Sequence, residues 1–252
     1  MIWRSFKRSF ILEPGRWPAK SRTIVLTFDD GPTPATPRLL DLLRQKDVPA
    51  AFCLVGANVA VTDPAIVRQI VADGHEIVCH SYEHSLRSLL RLEHCLADVE
   101  RWFGLMRRFG PPCSDWQARR LRQPFGFRAT ASLEVARRYQ LAEAYLTFFE
   151  NDTLVDGRSA PAFGRRLRRS LIRHDGGAIV LHEMRYMGKP PAANWAGRTW
   201  LVPFVEELIG WARAEGFHFG RYDDLTGTPE GCQSLQPKAA KISQSPSATR
   251  VP

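Results

Sequence analysis

Short apolar runs and longer amphipathic stretches alternate from about residue 22 to residue 226. Seven runs have the length and β-branched or aromatic content of strands: 23–28 (TIVLTF), 50–55 (AAFCLV), 76–79 (EIVC), 119–122 (RRLR), 144–149 (AYLTFF), 178–182 (AIVLH) and 217–221 (FHFGR). Helical periodicity fills the intervals near 36–46, 64–73, 91–108, 130–139, 161–173 and 203–215. Thr36-Pro37, Asp63-Pro64 and Pro203 supply plausible starts. Strands joined by helices imply a parallel sheet of βα units, and seven such units favour a closed or nearly closed barrel. The expected organisation is an irregular lead-in at 1–21, one domain at 22–226, and a tail at 227–252. That tail is rich in Ser, Pro, Gln and Lys and reads as disordered.

Composition excludes whole classes. With 44% hydrophobic and 24% charged residues over 252 positions, the chain is neither collagen-like nor largely disordered. No window approaches the roughly 18 apolar residues of a membrane span. The N-terminal MIWRSFKRSFILEPGRWP lacks the apolar stretch of a signal peptide, so the expected location is cytoplasmic. Five scattered Cys (53, 79, 95, 113, 232) without a CxxC pair read as reduced thiols, with Cys53 and Cys79 buried. A net charge of +9, carried mainly by 29 Arg, admits an anionic partner. No nucleic-acid motif accompanies it, so nucleic acid is not expected.

The chemistry gathers at the ends of the apolar runs. Thr27-Phe28-Asp29-Asp30-Gly31-Pro32 closes the first run with two adjacent carboxylates, where a simple turn needs one. Alternation along a strand relaxes at its end, so both can reach one site. His80-Ser81-Tyr82-Glu83-His84 follows the third run; if helical, its two imidazoles share a face. Two His and a carboxylate are a metal set with open positions. Arg122-Gln123-Pro124-Phe125-Gly126 offers a guanidinium for a carboxylate and a loop N–H for an oxyanion. Asp152 and Asp156 follow the fifth run. His182 ends the sixth, where an imidazole needs a partner or a use.

The order and spacing of TFDDGP, HSYEH, RQPFG and Leu181-His182 resemble the NodB-homology polysaccharide deacetylases, carbohydrate esterase family 4, over about residues 22–226. The resemblance implies an α/β fold, a distorted, incomplete (β/α)7 barrel. It implies a metal-dependent amide hydrolase that removes N-acetyl groups from amino sugars, using Zn²⁺ or alternatively Co²⁺. Asp30, His80 and His84 then correspond to metal ligands, Asp29 to the catalytic base and Arg122 to its partner. His182 corresponds to the general acid, with Asp152, or alternatively Asp156, tuning it. Leu181 corresponds to the acetyl pocket and the Phe125 N–H to an oxyanion donor. The sequence departs from the family pattern at Gly157, which stands where an Asp-Trp pair is usual, and at Glu183, where many relatives have Asp.

Tyr186, Trp195 and Trp200 either stack on sugar rings or pack their loop; Trp195 is taken as a substrate contact. Arg158–Arg173 carries six Arg and no acid above a Phe163, Leu167, Leu171 stripe. It reads as a solvated outer helix, with contact to an anionic membrane on its inner face as the other use. The expected substrate is an N-acetylated oligosaccharide or lipid-linked glycan. O-acetyl ester or N-formyl hydrolysis, a non-haem iron oxygenase and a non-catalytic glycan binder are the alternatives. Oligomeric state is not encoded in any recognisable pattern.

Overall fold

A computed structural model describes residues 22–109, 120–126, 129–184 and 198–226. Among them seven strands form one parallel sheet: β1 (Thr23–Gly31), β2 (Ala50–Leu54), β3 (Glu76–Cys79), β4 (Arg120–Leu121), β5 (Ala142–Glu143), β6 (Gly177–His182) and β7 (His218–Phe219). The order is β5-β4-β3-β2-β1-β6, and β7 pairs with the first two residues of β1. The sheet curls into a half-barrel with helices outside it, the distorted (β/α) barrel that the sequence implied.

β1 shows why the strands read as unbroken apolar runs. A parallel strand covered on both faces has no polar side. Ile24, Leu26 and Phe28 point outward into the main core, beneath the helices. Val25 points inward, into a second cluster with Ala51, Cys53, Val78, Ala144 and Ala178. Thr27 and Asp29 continue that inward row toward the strand's C-terminal end.

The outer layer holds α1 (Thr36–Lys46), α2 (Gly56–Val59), α3 (Pro64–Ala72), α4 (Leu86–Leu90), α5 (Leu92–Phe109), α6 (Thr130–Arg138), α7 (Ala160–His174), α8 (Leu201–Ala214) and α9 (Tyr222–Thr226). Six of these match the expected helices within two residues; the short α2, α4 and α9 were not anticipated. α5 inserts Trp102, fully buried, whose indole N–H donates to the Leu54 carbonyl at 2.8 Å. α7 buries Phe163, Leu167 and Leu171, as its stripe required, and leaves Arg165, Arg166, Arg169 and Arg173 exposed. Trp200 is buried against Phe163 and Phe204, so it packs α8 onto α7 and is not a sugar platform. Among the described residues no helix is long and apolar enough to cross a membrane. Cys53, Cys79 and Cys95 are free and buried.

The fifth strand departs from expectation. Residues 144–149 are not a strand; β5 is the pair 142–143 just before them. The run spans the gap between the sheet's two edges. Ala144 N–H donates to Leu121 O at 2.9 Å on one side, and Thr147 N–H donates to Ala178 O at 3.0 Å on the other. Its backbone partners lie on two different strands, so no ladder forms, although the side chains are apolar. The expected lead-in and tail, together with Cys113, Tyr186, Trp195 and Cys232, lie outside the described residues.

Candidate active site

The site sits at the C-terminal ends of β1, β3, β4 and β6, where barrel strands present side chains to a common mouth. Pairing of β1 with β2 shifts register between Asp29 and Gly31, and Asp30 takes a left-handed φ of 68°. Asp30 is thus the extra residue of a bulge, which turns its side chain toward the same site as Asp29. Gly31 is required beside it, because a Cβ there would collide with the buried Glu183 carboxylate.

The His80–His84 segment is a loop and not the helical turn expected. Ser81 and His84 have left-handed φ values of 64° and 51°. The Ser81 hydroxyl accepts the His84 N–H at 2.9 Å. From α5, Asp98 accepts the N–H groups of Tyr82 at 2.7 Å and Glu83 at 2.9 Å. These bonds bring both rings to Asp30: its Oδ1 lies 3.2 Å from His84 Nε2 and 3.5 Å from His80 Nε2.

This trio fits a divalent cation. The candidate ligand atoms of Asp30, His80 and His84 lie within 4.8 Å of one another, and all three residues are buried. Asp30 Oδ1 is buried without a well-formed hydrogen bond, as an oxygen kept for a cation would be. His80 Nδ1 lies 3.0 Å from the Arg122 carbonyl, which fixes the proton there and leaves the Nε2 lone pair facing Asp30. Burial works against ionising Asp30, but the two facing imidazoles outweigh it and hold its carboxyl well below the usual range.

Two buried acid–base pairs flank the trio. Arg122 Nη1 lies 2.5 Å from Asp29 Oδ1, and both side chains are under a tenth exposed. Burial would raise the Asp29 pKa, but Arg122 reverses the effect and lowers it. On the neighbouring strand, in register with Asp29, stands His182. Its Nδ1 lies 2.5 Å from Asp152 Oδ1, and its N–H donates to Asp152 Oδ2 at 2.9 Å. Burial disfavours the imidazolium, yet the Asp152 carboxylate overcomes it and raises the His182 pKa to about 9. Arg198 Nη1 donates to the Asp152 carbonyl at 2.7 Å. Of the two acids weighed after the fifth run, Asp152 meets His182. Asp156 is exposed and accepts the N–H groups of Arg158 and Ser159 before α7.

Phe125 has a φ of 56° and lays its ring edge on His84, centroids 4.5 Å apart. Leu181 is fully buried in the outer core beside Phe28, on the strand face opposite His182, and no surface of it opens to the mouth. Trp195 lies outside the described residues.

Sequence reasoning missed several supports. Thr27 Oγ1 accepts from Arg122 at 2.6 Å and donates to Ile179 O at 2.8 Å. Asn58 Nδ2 donates to the Asp30 carbonyl at 2.7 Å. Glu183 is fully buried and takes bonds from the hydroxyls of Thr33 (3.0 Å) and Thr36. Burial pushes its carboxyl up to about 7, against those two hydroxyls. Of these supports, only Glu183 had a signal, as a departure from the family pattern.

A family model described as polysaccharide deacetylase matches residues 17–144. A chitooligosaccharide deacetylase from Bradyrhizobium sp. (strain ANU 289) is 33% identical over 174 residues, covering 68% of this chain and 73% of that protein. A peptidoglycan-N-acetylglucosamine deacetylase from Bacillus cereus is 39% identical over 103 residues, 38% of this chain and 48% of that one. The chain therefore belongs to the polysaccharide deacetylase (NodB-homology) family. A solved peptidoglycan N-acetylglucosamine deacetylase superposes with a TM-score of 0.67 at 22% identity, covering 84% of this chain and 92% of that one; at that identity the likeness is one of fold.

Proposed function

We propose that this chain is a metal-dependent hydrolase that removes N-acetyl groups from the amino sugars of an oligosaccharide or lipid-linked glycan. One observation carries the reading: Asp29 and His182, adjacent on neighbouring strands, have pKa values pushed in opposite directions. At neutral pH one is an ionised base and the other a protonated acid, which is the division of labour amide hydrolysis needs. A divalent cation held by Asp30, His80 and His84, with zinc preferred and cobalt the alternative, supplies positive charge that acidifies water and polarises a carbonyl. Asp29 takes the proton of the attacking water, and Arg122 keeps it ionised beforehand. The Phe125 N–H donates to the developing oxyanion. His182 gives its Nε2 proton to the departing amine, while Asp152 holds the ring and its charge. Each proton transfer is worth about 10²–10⁴-fold. The names of the relatives point to N-acetylated glycans as the substrate class. A non-haem iron oxygenase would have no use for the flanking acid and base.

The test is acetate release from chitin oligomers by metal-stripped protein, with and without added Zn²⁺ or Co²⁺. Metal-dependent release that Asp29→Asn and His182→Ala abolish is expected. Full activity in either variant would sink the mechanism. Tight metal binding without acetate release from the oligomers would sink the substrate assignment, and O-acetylated, N-formylated and lipid-linked glycans would follow.

A further inference from the structure

The inward face of the barrel is lined by small or branched residues: Val25, Ala51, Cys53, Val78, Ala144 and Ala178, each at most 4% exposed. Strands bearing Ala inward leave a hollow, and a hollow between packed elements is filled or costly. It is filled from the far end of the domain. Tyr222 and Leu225 of α9 belong to the same buried cluster, and Tyr222 has no exposed surface. Outside the hollow, α9 is tied down by the Arg120–Asp223 ion pair, with the Arg120 guanidinium 4.8 Å from the Tyr222 ring.

We propose that Tyr222 is a positioning residue for the catalytic base: α9 plugs the barrel so that the phenol fixes Arg122, and Arg122 fixes Asp29. The Arg122 guanidinium is held at all three nitrogens. Nε donates to Ala144 O at 3.0 Å; Nη1 donates to Thr27 Oγ1 and Asp29; Nη2 donates to the Tyr222 hydroxyl. That hydroxyl passes its own proton to Tyr145 O at 3.0 Å, so its lone pair is turned to Arg122. Without it Nη2 loses this buried acceptor, and the fork can rotate away from Asp29. The role rests on the reading of Asp29 as the proton acceptor.

Tyr222→Phe removes only the oxygen. Partners one shell out from a reacting group are worth about 10- to 100-fold. The expected result is a kcat lower by about that factor with KM essentially unchanged. Leu225→Ala serves as the control for barrel integrity; it lowers the melting temperature and leaves kcat alone. In parallel, ¹⁵N spectra follow the protected guanidinium signals of Arg122, identified as those absent from Arg122→Lys. Tyr222→Phe speeds their exchange and Leu225→Ala does not. Unchanged kcat and unchanged Arg122 signals overturn the proposal, as does an effect confined to KM or an equal loss of kcat in Leu225→Ala. If Tyr222→Phe does not fold, 4-aminophenylalanine at 222 must restore fold and kcat together; restoring the fold alone overturns it. If the wild-type protein releases no acetate, the reading of function falls, and the Arg122 signals still decide whether Tyr222 holds the guanidinium.

Discussion

Replacing Asp152 by Asn tests the electrostatics of the site with and without a substrate. His182 is about a seventh exposed, and Asp152 is fully buried 2.5 Å from its Nδ1. The ring's pKa stands at about 9, against an ordinary value of 6.5. That rise corresponds to about 3 kcal/mol of preference for the imidazolium in the folded state. With Asn the anion is gone and burial acts unopposed, so the pKa falls to 6.5 or below. At pH 7.5 the protonated fraction drops from nearly complete to about a tenth or less, and kcat/KM falls at least about tenfold from population alone. The alkaline limb of the rate profile, near pH 9 in the wild-type protein, moves below neutrality. Stability follows the same linkage. A raised imidazole pKa stabilises the fold fully below pH 6.5, and that stability is lost as pH rises through about 9. Urea unfolding should therefore show Asp152→Asn destabilised by about 3 kcal/mol at pH 6, with much of the gap closed by pH 10. An alkaline limb that stays near pH 9, together with a stability gap independent of pH, would refute the assignment of Asp152 as the source of the shift.

Further tests address the other parts of the site. Arg122→Met leaves the Asp29 carboxylate buried and unpaired, so denaturant unfolding should show a loss of about 3–5 kcal/mol; a loss under 1 kcal/mol would mean water reaches Asp29. His84→Ala removes one of three ligands, and Co²⁺ affinity read by absorption titration should fall at least about tenfold; unchanged affinity would place the cation elsewhere. Glu183 has a folded pKa of about 7 against an ordinary 4.5, so the fold prefers its proton. Stability should fall by up to about 3 kcal/mol between pH 4.5 and pH 7 on its account, and Glu183→Gln should flatten that slope in urea titrations. Equal pH dependence in both proteins would show that the carboxyl is ionised at no cost.

The sequence disclosed the strands that are buried on both faces, because such strands carry no polar interruption: β1, β2 and β6 were found nearly to the residue. It misplaced β5, because Ala144-Tyr145-Leu146-Thr147-Phe148-Phe149 has strand composition yet must bond to β4 at one end and β6 at the other. Hydrophobic pattern records burial, not which strand supplies the hydrogen-bond partner. The spacing of His80 and His84 suggested a helical turn. The structure reaches the same meeting of the rings through two left-handed residues and the carboxylate of Asp98, which no local pattern encodes. Asp29, Asp30, Arg122 and His182 were visible because each ends an apolar run. Tyr222 was not, since a lone aromatic in Arg-Tyr-Asp-Asp-Leu gains its meaning only from the hollow it enters.

The central place of β1 also bears on how the chain reaches this fold. The first strand pairs with β2, but equally with β6 and β7, more than 150 and about 195 residues later. Its inward face is sealed by α9, the last described element. Pairings between such distant segments form slowly, because long loops must close before any contact rewards them. On the ribosome the β1 segment, with one face and one edge still open, would wait for nearly the whole domain to emerge. An unpaired apolar strand of this kind is a natural target for chaperones and, without them, for aggregation.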